Sequence, residues 1–305
     1  MIRGAAFLLA GLLLAGCAGR SPLVPLALPG TIELTRTPFF PQADFQCGPA
    51  ALATVLGEAG VPTSPDALVP EVYLPDRQGS LQVELRAAVR RRGRVPVAVR
   101  GDLGALSAAL RAGSPVLVLQ NLGLQRWPVW HYAVVIGLDP EADEVILRSG
   151  TTYRERMEAA RFRASWGGWG FTVHSPEAPP AWASAADWLE TVAVWARLGQ
   201  HEAAWRATTA AIDRWPDRAD VWLAHGNAAY ASGERQMAAR AFESAVALQP
   251  TAGGYNNLAH VLGELGCHEA ALAALASARP LGGDANMIDA TAAMLQSMPS
   301  APCER

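Results

Sequence analysis

The sequence contains no lysine, so all 25 of its Lys and Arg residues are arginine. This absence excludes a Walker A nucleotide-binding loop, a lysine Schiff base and a serine–lysine dyad, because each of these needs a lysine amine. Charge is sparse in general, at 17% of 305 residues, and the formal net charge is −3. A nucleic-acid-binding protein usually carries a basic excess, so we expect no nucleic-acid partner. Half of the residues are hydrophobic, which is enough for a core in a chain long enough for two domains.

Several easily seen catalytic motifs are also missing. The sequence has no Cys-x-x-Cys pair and no Gly-x-Ser-x-Gly motif of the serine hydrolases. The segments that begin at His201 and His268 open with His-Glu, as zinc-peptidase helices do. Neither segment has the second histidine one helical turn later, so neither helix face would hold zinc. We therefore expect no metal and no cofactor.

Residues 1–17 are organised as a secretion signal. Arg3 precedes an apolar run over residues 5–14, which is shorter than the roughly 20 residues of a membrane span. The run ends in Leu-Ala-Gly-Cys and resembles the bacterial lipobox, in which the peptide is cut before the cysteine, here Cys17, and the cysteine is lipidated. Ala18 replaces the aspartate of inner-membrane lipoproteins, so the resemblance implies an outer-membrane lipoprotein that faces the periplasm. The alternative is an ordinary secretory signal with an incidental cysteine.

Composition divides the rest of the chain into four parts. A proline-rich tether covers residues 18–38. Residues 39–174 mix helical patterns with short β-rich runs, which predicts an α+β domain. A linker follows at residues 175–181, with two proline-containing pairs at or near it. Residues 182–305 have helical patterns almost throughout, which predicts an all-α domain.

The helical segment repeats with a period of 34 residues, and a further unit follows at a spacing of 33. Pairs that are 34 positions apart are Trp188 and Trp222, Gly199 and Gly233, Ala204 and Ala238, Ala211 and Ala245, and Pro216 and Pro250. The pattern resembles the tetratricopeptide repeat, which implies a solenoid with a capping helix over residues 284–298 and a concave face that binds a protein or peptide partner. Cys267 and Cys303 lie in this segment, and an oxidising periplasm would make them candidates for a disulfide.

Cys47 has the clearest chemical context in the sequence. Together with Gly48 and Pro49 it opens a helical pattern, and the missing N–H of proline costs nothing in a first helical turn. The positive end of a helix dipole lowers the pKa of a thiol, so we expect Cys47 to be a thiolate nucleophile. Gln42 lies in the loop before the helix, where its side-chain amide and the backbone N–H of Cys47 would form an oxyanion hole.

The second half of the predicted site lies much later in the chain. Residues 130–137 read Trp-His-Tyr-Ala-Val-Val-Ile-Gly, which predicts a strand with His131 near its beginning. An imidazole there would be the general base that takes the thiol proton. The alternatives are a buried structural thiol at Cys47 and a strand-end histidine without a catalytic role at His131.

These residues together carry a resemblance. A glutamine, then Cys-Gly-Pro-Ala opening a helix, then His-Tyr-x-Val-Val-x-Gly opening a strand, resemble the papain-like peptidases related to the bacteriocin leader-processing (double-glycine) peptidases. The resemblance covers residues 38–174. It implies an α+β papain-like fold with Cys47 as the nucleophile, His131 as the base and Gln42 as the oxyanion donor.

The sequence departs from this family at the residue that orients the histidine. The family has an aspartate at the end of the next strand. Asp139 is eight residues along the same strand as His131, roughly 26 Å away if the strand is extended. The returning strand, residues 145–147, instead brings Ser149 beside His131, so Ser149 is one candidate orienter. Asn121, at the end of an earlier strand, is the other, because asparagine serves this role in papain-like sites.

These patterns predict a membrane-anchored cysteine peptidase with a partner-binding repeat domain. The predicted reaction is acyl transfer from a peptide or protein substrate to Cys47, followed by hydrolysis of the thioester. Two alternatives stay open: a non-catalytic scaffold that keeps the peptidase fold, and a transferase in which an amine resolves the thioester. The missing aspartate favours the scaffold, whereas the presence of Gln42, Cys47 and His131 opposes it.

Replacing Cys17 with serine tests the anchor. We expect Cys17→Ser to abolish lipidation and to leave the protein soluble or unprocessed, because the thiol is the lipid acceptor. The measurement is incorporation of a labelled fatty acid together with membrane fractionation. A Cys17→Ser protein that is labelled and fractionates as the wild type does would contradict the assignment.

Overall fold

The computed structural model describes residues 29–101, 103–298 and 302–303. The predicted signal and its lipidation site, Cys17, lie outside these residues. The described chain begins with an antiparallel sheet that has helices on both faces and continues as a series of helices. Within the described ranges, every helix is too short or too polar to cross a membrane.

The sheet is built from strands distributed along the first part of the chain. The strands are β1 Ile32–Glu33, β2 Tyr73–Leu74, β3 Gly79–Ser80, β4 Val95–Arg100, β5 Val116–Asn121, β6 Trp130–Asp139, β7 Glu144–Ser149, β8 Thr152–Glu158 and β9 Trp166–His174. β2 and β3 form a separate hairpin, and the main sheet has the order β4-β9-β5-β6-β7-β8. β1 pairs with the part of β6 that extends beyond β5, so residues 32–33 belong to the sheet although composition assigns them to the tether.

Helices cover both faces of this sheet. They are α1 Cys47–Glu58, α2 Pro65–Val72, α3 Gln82–Arg91, α4 Leu103–Arg111 and α5 Ala159–Ser165. The first three pack on one face around Leu117, Val134 and Phe171. The last two pack on the opposite face against Val118 and Val135.

The helix that begins at Cys47 is held firmly in this core. Every residue from 48 to 56 is buried, because α1 is apolar around most of its circumference. Its one hydroxyl there, Thr54, donates to the carbonyl oxygen of Ala50 at 3.0 Å. A helix buried in this way fixes the position of its first residue, Cys47.

The second part of the described chain is helical. The helices are α6 Ala185–Arg197, α7 His201–Arg214, α8 Ala219–Ala231, α9 Arg235–Leu248, α10 Ala252–Glu264, α11 His268–Ala278 and α12 Ala285–Ser297. Gly199, Gly233 and Gly266 lie at the turns inside successive pairs with φ of 71°, 86° and 75°, the left-handed backbone that glycine adopts easily. This arrangement is compatible with the predicted helical repeat, and α12 occupies the place of the predicted capping helix.

A disulfide joins the end of the described chain to the last helix pair. Cys267 and Cys303, which sequence reasoning left as candidates, have an S–S distance of 1.99 Å and a Cα–Cα distance of 4.4 Å. Cys267 precedes α11 and Cys303 follows α12, so the bond ties the segment after α12 to the turn before α11.

The packing of the two parts crosses the predicted linker. Trp195 of α6 is fully buried in a core that includes Val95 and Val97 of β4. Its indole N–H donates to the carbonyl oxygen of Arg90 at the end of α3, at 3.3 Å. Nearby, Arg86 of α3 forms a 2.8 Å ion pair with Glu190 of α6. The first helix after the linker is therefore also part of the core of the sheet domain.

This shared core predicts the effect of removing one tryptophan. Trp195→Ala should lower the free energy of unfolding by about 3–5 kcal/mol, the usual cost of a large-to-small change at a fully buried aromatic residue. Denaturant unfolding of the full chain measures it. Trp222→Ala is the matched control, because Trp222 lies partly exposed on α8. A loss for Trp195→Ala no larger than for the control would contradict the shared core.

Candidate active site

Cys47 is the first residue of α1, and its side chain is half-buried. The backbone amides of Gly48 and Tyr132 lie near its sulfur, where they favour the thiolate. Tyr132 is the residue after His131 on β6. The start of α1 and the start of β6 therefore meet at one cleft, which Cys47 and His131 both line.

The turn before Cys47 is strained, and the residue after it is tightly enclosed. Phe45 has a φ of 60°, a left-handed conformation that is unfavourable for a side chain of its size. Gly48 lies so close to β3 that a Cβ on it would be 2.4 Å from Oγ of Ser80. The tyrosine hydroxyl of Tyr132 donates to the carbonyl oxygen of the same Ser80 at 3.1 Å. The first turn of α1 is therefore wedged between β3 and β6.

His131 is paired with Ser149. Nε2 of His131 and Oγ of Ser149 lie 3.0 Å apart, because antiparallel β7 returns beside β6. Ser149 engages Nε2, so Nδ1 is the ring nitrogen available to take a proton from the thiol. His131 and Cys47 both line one cleft.

Asn121 does not orient the histidine. Its side-chain oxygen accepts hydrogen bonds from the backbone N–H groups of Gly123 and Val129, each at 3.0 Å. These bonds close the loop between β5 and β6. Asn121 is paired across the sheet with Trp130, whereas Gln120 is the residue opposite His131. Of the two predicted orienters, the structure brings only Ser149 to the imidazole.

Gln42 reaches the site from the loop before α1. Its backbone N–H donates to the carbonyl oxygen of Gly150 at 3.1 Å, just beyond the end of β7. Its side chain lines the same cleft as Cys47, and its Oε1 is buried without a hydrogen-bond partner in the described structure. The end of β7 thus fixes the backbone of Gln42, while its side chain lines the cleft.

The cleft has a volume of about 880 Å³ and a largely apolar wall. Phe45, Leu122, Val129 and Trp130 are exposed hydrophobic residues along it, and Trp130 is 60% exposed. The charged residues that line it are Asp44 and Arg77. A cleft of this size and character accommodates several residues of an extended chain.

Burial controls the charge state of the pair. Burial raises the pKa of the Cys47 thiol, and the N–H groups of Tyr132 and Gly48 only partly oppose this. The expected low thiol pKa is therefore wrong, since desolvation outweighs the helix N-terminus. Burial also lowers the pKa of His131, against a smaller raising effect from the carboxylate of Glu155. At neutral pH, both directions favour an uncharged thiol and an uncharged imidazole over a thiolate–imidazolium pair.

Two features of the site cannot be found from sequence motifs: the carboxylate of Glu155 and the backbone amide of Tyr132. Glu155 lies on β8, opposite Leu147 of β7. No sequence motif distinguishes it from the other acidic residues of that strand. Within the described ranges, no group of three or more His, Cys, Asp or Glu is arranged to hold a metal ion.

Comparisons with known proteins give similar solved structures. No protein-family model and no curated protein matches the chain. It is similar to the peptidase domain of Streptococcus ComA, a bifunctional ABC transporter involved in quorum sensing, with 23% identity and a TM-score of 0.37, covering 46% of this chain and 98% of that chain. It is also similar to a double-glycine-motif protease from an AMS/PCAT transporter, solved with its leader peptide, with 17% identity and a TM-score of 0.37, covering 46% and 91%. A third similar structure is the peptidase domain of Streptococcus mutans ComA, with 22% identity and a TM-score of 0.30, covering 44% of this chain and 97% of that chain. Because these TM-scores are low, we base the proposed function on the geometry of the site.

Two substitutions near His131 should shift the pKa of its imidazole in opposite directions. Glu155→Gln removes a carboxylate that favours imidazolium, so the pKa of His131 should fall further. Ser149→Asp places a carboxylate beside Nε2, so that pKa should rise. NMR titration of the His131 imidazole measures both shifts, and His174, which burial holds at a pKa of about 4, is the internal control. Shifts of the same sign in the two variants would contradict the assigned surroundings of His131.

Proposed function

We propose that this protein is a cysteine peptidase that hydrolyses a peptide bond through a thioester on Cys47. The observation that carries the proposal is that Cys47, His131 and Gln42 line one cleft, with the His131 imidazole held by Ser149 at 3.0 Å. The cleft therefore brings together a nucleophile, a base and an amide donor. A buried thiol with no catalytic role would need none of these neighbours.

The proposed reaction begins from the neutral pair. Nδ1 of His131 takes the thiol proton as the sulfur bonds to the carbonyl carbon of the scissile peptide. The backbone N–H of Cys47 and the side-chain amide of Gln42 stabilise the oxyanion that forms. The imidazolium then gives its proton to the leaving amine, and the C–N bond breaks. Water, deprotonated by His131, attacks the thioester and restores the thiol.

Ser149 holds the imidazole during these steps. Its oxygen bonds Nε2 and leaves Nδ1 for the thiol, so the ring keeps one orientation through both proton transfers. The papain-like relationship implied by the sequence motifs is part of this proposal. The apolar wall of the cleft, with Trp130 and Leu122, favours a substrate that presents apolar side chains beside the cleaved bond.

The remaining parts of the proposal concern location and partners. Lipid on Cys17 would hold the protein at the periplasmic face of the outer membrane. The helices after the linker would form a tetratricopeptide domain that binds a protein partner. A groove of about 370 Å³ supports this part, because polar side chains line it, among them Asn227, Tyr230, Asn257 and His260.

One observation favours a second candidate, the non-catalytic scaffold. Ser149 stands where a carboxylate would stabilise imidazolium, and burial keeps both reacting groups neutral at rest. On this alternative, the cleft binds a peptide without cutting it.

Peptide cleavage distinguishes the two candidates. A peptide mixture is incubated with the wild type, Cys47→Ser and His131→Ala, and new termini are counted by mass spectrometry. The peptidase predicts cleavage by the wild type but not by Cys47→Ser or His131→Ala. Gln42→Ala should cleave more slowly by about 10²–10³-fold, the usual loss for one oxyanion donor. Asn121→Ala is the matched control, because its side chain only closes a loop. If the wild type and Cys47→Ser give equal numbers of new termini, the peptidase proposal is contradicted and the non-catalytic scaffold is favoured.

The pH dependence of this cleavage has a defined shape. The active form carries one proton shared by Cys47 and His131. Activity should rise as pH increases through the lowered pKa of His131, below about 6.5, and fall above the raised pKa of Cys47, beyond about 8.5. A pH profile of kcat/KM with an alkaline limb below neutrality would contradict the neutral-pair mechanism.

A further inference from the structure

Arg148 is a buried cation next to the site, with only 3% of its surface exposed. Its guanidinium donates to main-chain carbonyl oxygens: Nη2 to Thr35 at 3.1 Å, Nη2 and Nε to Thr37 at 3.0 and 3.3 Å, and Nη1 to Tyr153. Burying a guanidinium is costly unless its donors are satisfied. An arginine that donates three of its four hydrogen bonds to Thr35 and Thr37 fixes that short stretch of backbone in place.

The stretch that Arg148 fixes leads directly to Gln42. Thr37 is followed by Pro-Phe-Phe-Pro and then by Gln42. The two prolines restrict the backbone of this connection, so a displacement at Thr37 is transmitted to Gln42 rather than absorbed. The Arg148 guanidinium also lies 3.8 Å from the centre of the Tyr153 ring, and that ring meets Phe39 edge-on at 5.6 Å. Arg148 therefore supports the connection through both its backbone and its aromatic side chain.

Three consecutive residues at the end of β7 hold three parts of the site. Arg148 holds the carbonyl groups that precede Gln42, Ser149 holds the imidazole of His131, and the Gly150 carbonyl accepts the backbone N–H of Gln42. This tripeptide therefore sets the positions of both Gln42, the proposed oxyanion donor, and His131, the proposed base.

We propose that Arg148 is a positioning residue that sets the Gln42 amide against Cys47 by clamping the backbone at Thr35 and Thr37. The inference rests on the proposed function, because it gives Gln42 the oxyanion role. It predicts that loss of Arg148 impairs acyl transfer to Cys47 while leaving simple alkylation of the thiol intact. Alkylation forms no oxyanion, whereas acylation does.

The test uses two small reagents and no peptide substrate. The rate at which p-nitrophenyl acetate acylates Cys47 is compared with the rate at which iodoacetamide alkylates it. The full chain carries Cys17→Ser, so Cys47 is its one free thiol when Cys267 and Cys303 are bonded. The absence of lysine removes the side reaction of the ester with lysine amines.

The decisive comparison is a double-mutant cycle. Arg148→Met should slow acylation by about 10²-fold, the usual effect of misplacing a catalytic group by about 1 Å, with alkylation unchanged. In a Gln42→Ala background, Arg148→Met should change acylation by no more than about twofold, because the group it positions is gone. Arg154→Met is the matched control, since Arg154 is an exposed arginine on neighbouring β8 whose Nε and Nη2 donate to the carboxylate of Glu33 at 2.6 Å each.

Two further variants serve if Arg148→Met does not fold. Tyr153→Ala removes a ring that is 55% exposed, and Arg148→Lys keeps the cation with fewer donors. Both should slow acylation less than Arg148→Met would and should also lose their effect in the Gln42→Ala background. Equal slowing in both backgrounds, or none in either, would overturn the positioning role of Arg148. A wild type that acylates no faster than Gln42→Ala would instead refute the oxyanion role of Gln42 and with it the proposed function.

Discussion

The site depends on how the first turn of α1 docks against the beginning of β6. The backbone amide of Tyr132 lies near the sulfur of Cys47, and Gly48 packs so closely on Ser80 that a Cβ would overlap the serine side chain. This contact places the thiol beside the strand that carries His131. The buried length of α1 supplies the stability that holds the contact, since a rotation or shift of the helix would expose its apolar surface.

Burial has a chemical consequence as well as a structural one. A helix N-terminus stabilises a thiolate, but the same packing that fixes Cys47 removes the water that would solvate the charge. Desolvation is the larger effect on both members of the pair, so it raises the pKa of Cys47 and lowers that of His131. The direction could not be read from the sequence, because it depends on how deeply the helix start is enclosed by β3 and β6.

The sequence predicts those features that depend on local pattern. The helix that starts at Cys47, the strand that begins beside His131, the exclusion of Asp139 and the position of Ser149 all follow from periodicity and antiparallel return. Features that depend on long-range pairing were not predictable. β9 inserts between β4 and β5, β1 extends the sheet, and Trp195 packs across the linker, because each needs a partner distant in sequence. Asn121 failed as an orienter because its side chain satisfies two loop amides, a local demand that strand spacing does not reveal.

A serine beside the histidine is consistent with the neutral pair. A carboxylate in place of Ser149 would favour the imidazolium form of His131. In a desolvated site, an imidazolium needs an anion such as a thiolate beside it even before substrate binds. The serine hydroxyl fixes the ring without demanding charge. On the proposed mechanism, charge separation arises only when substrate is bound and the proton moves from Cys47 to His131. At that moment the N–H groups of Gly48 and Tyr132 lie beside the sulfur, and the Gln42 amide lies in the cleft where the oxyanion would form. Catalysis by the proposed mechanism relies on fixed hydrogen-bond donors more than on a preformed thiolate–imidazolium pair. The backbone before Gln42 therefore has to be held rigidly, as Arg148 does through its hydrogen bonds to Thr35 and Thr37.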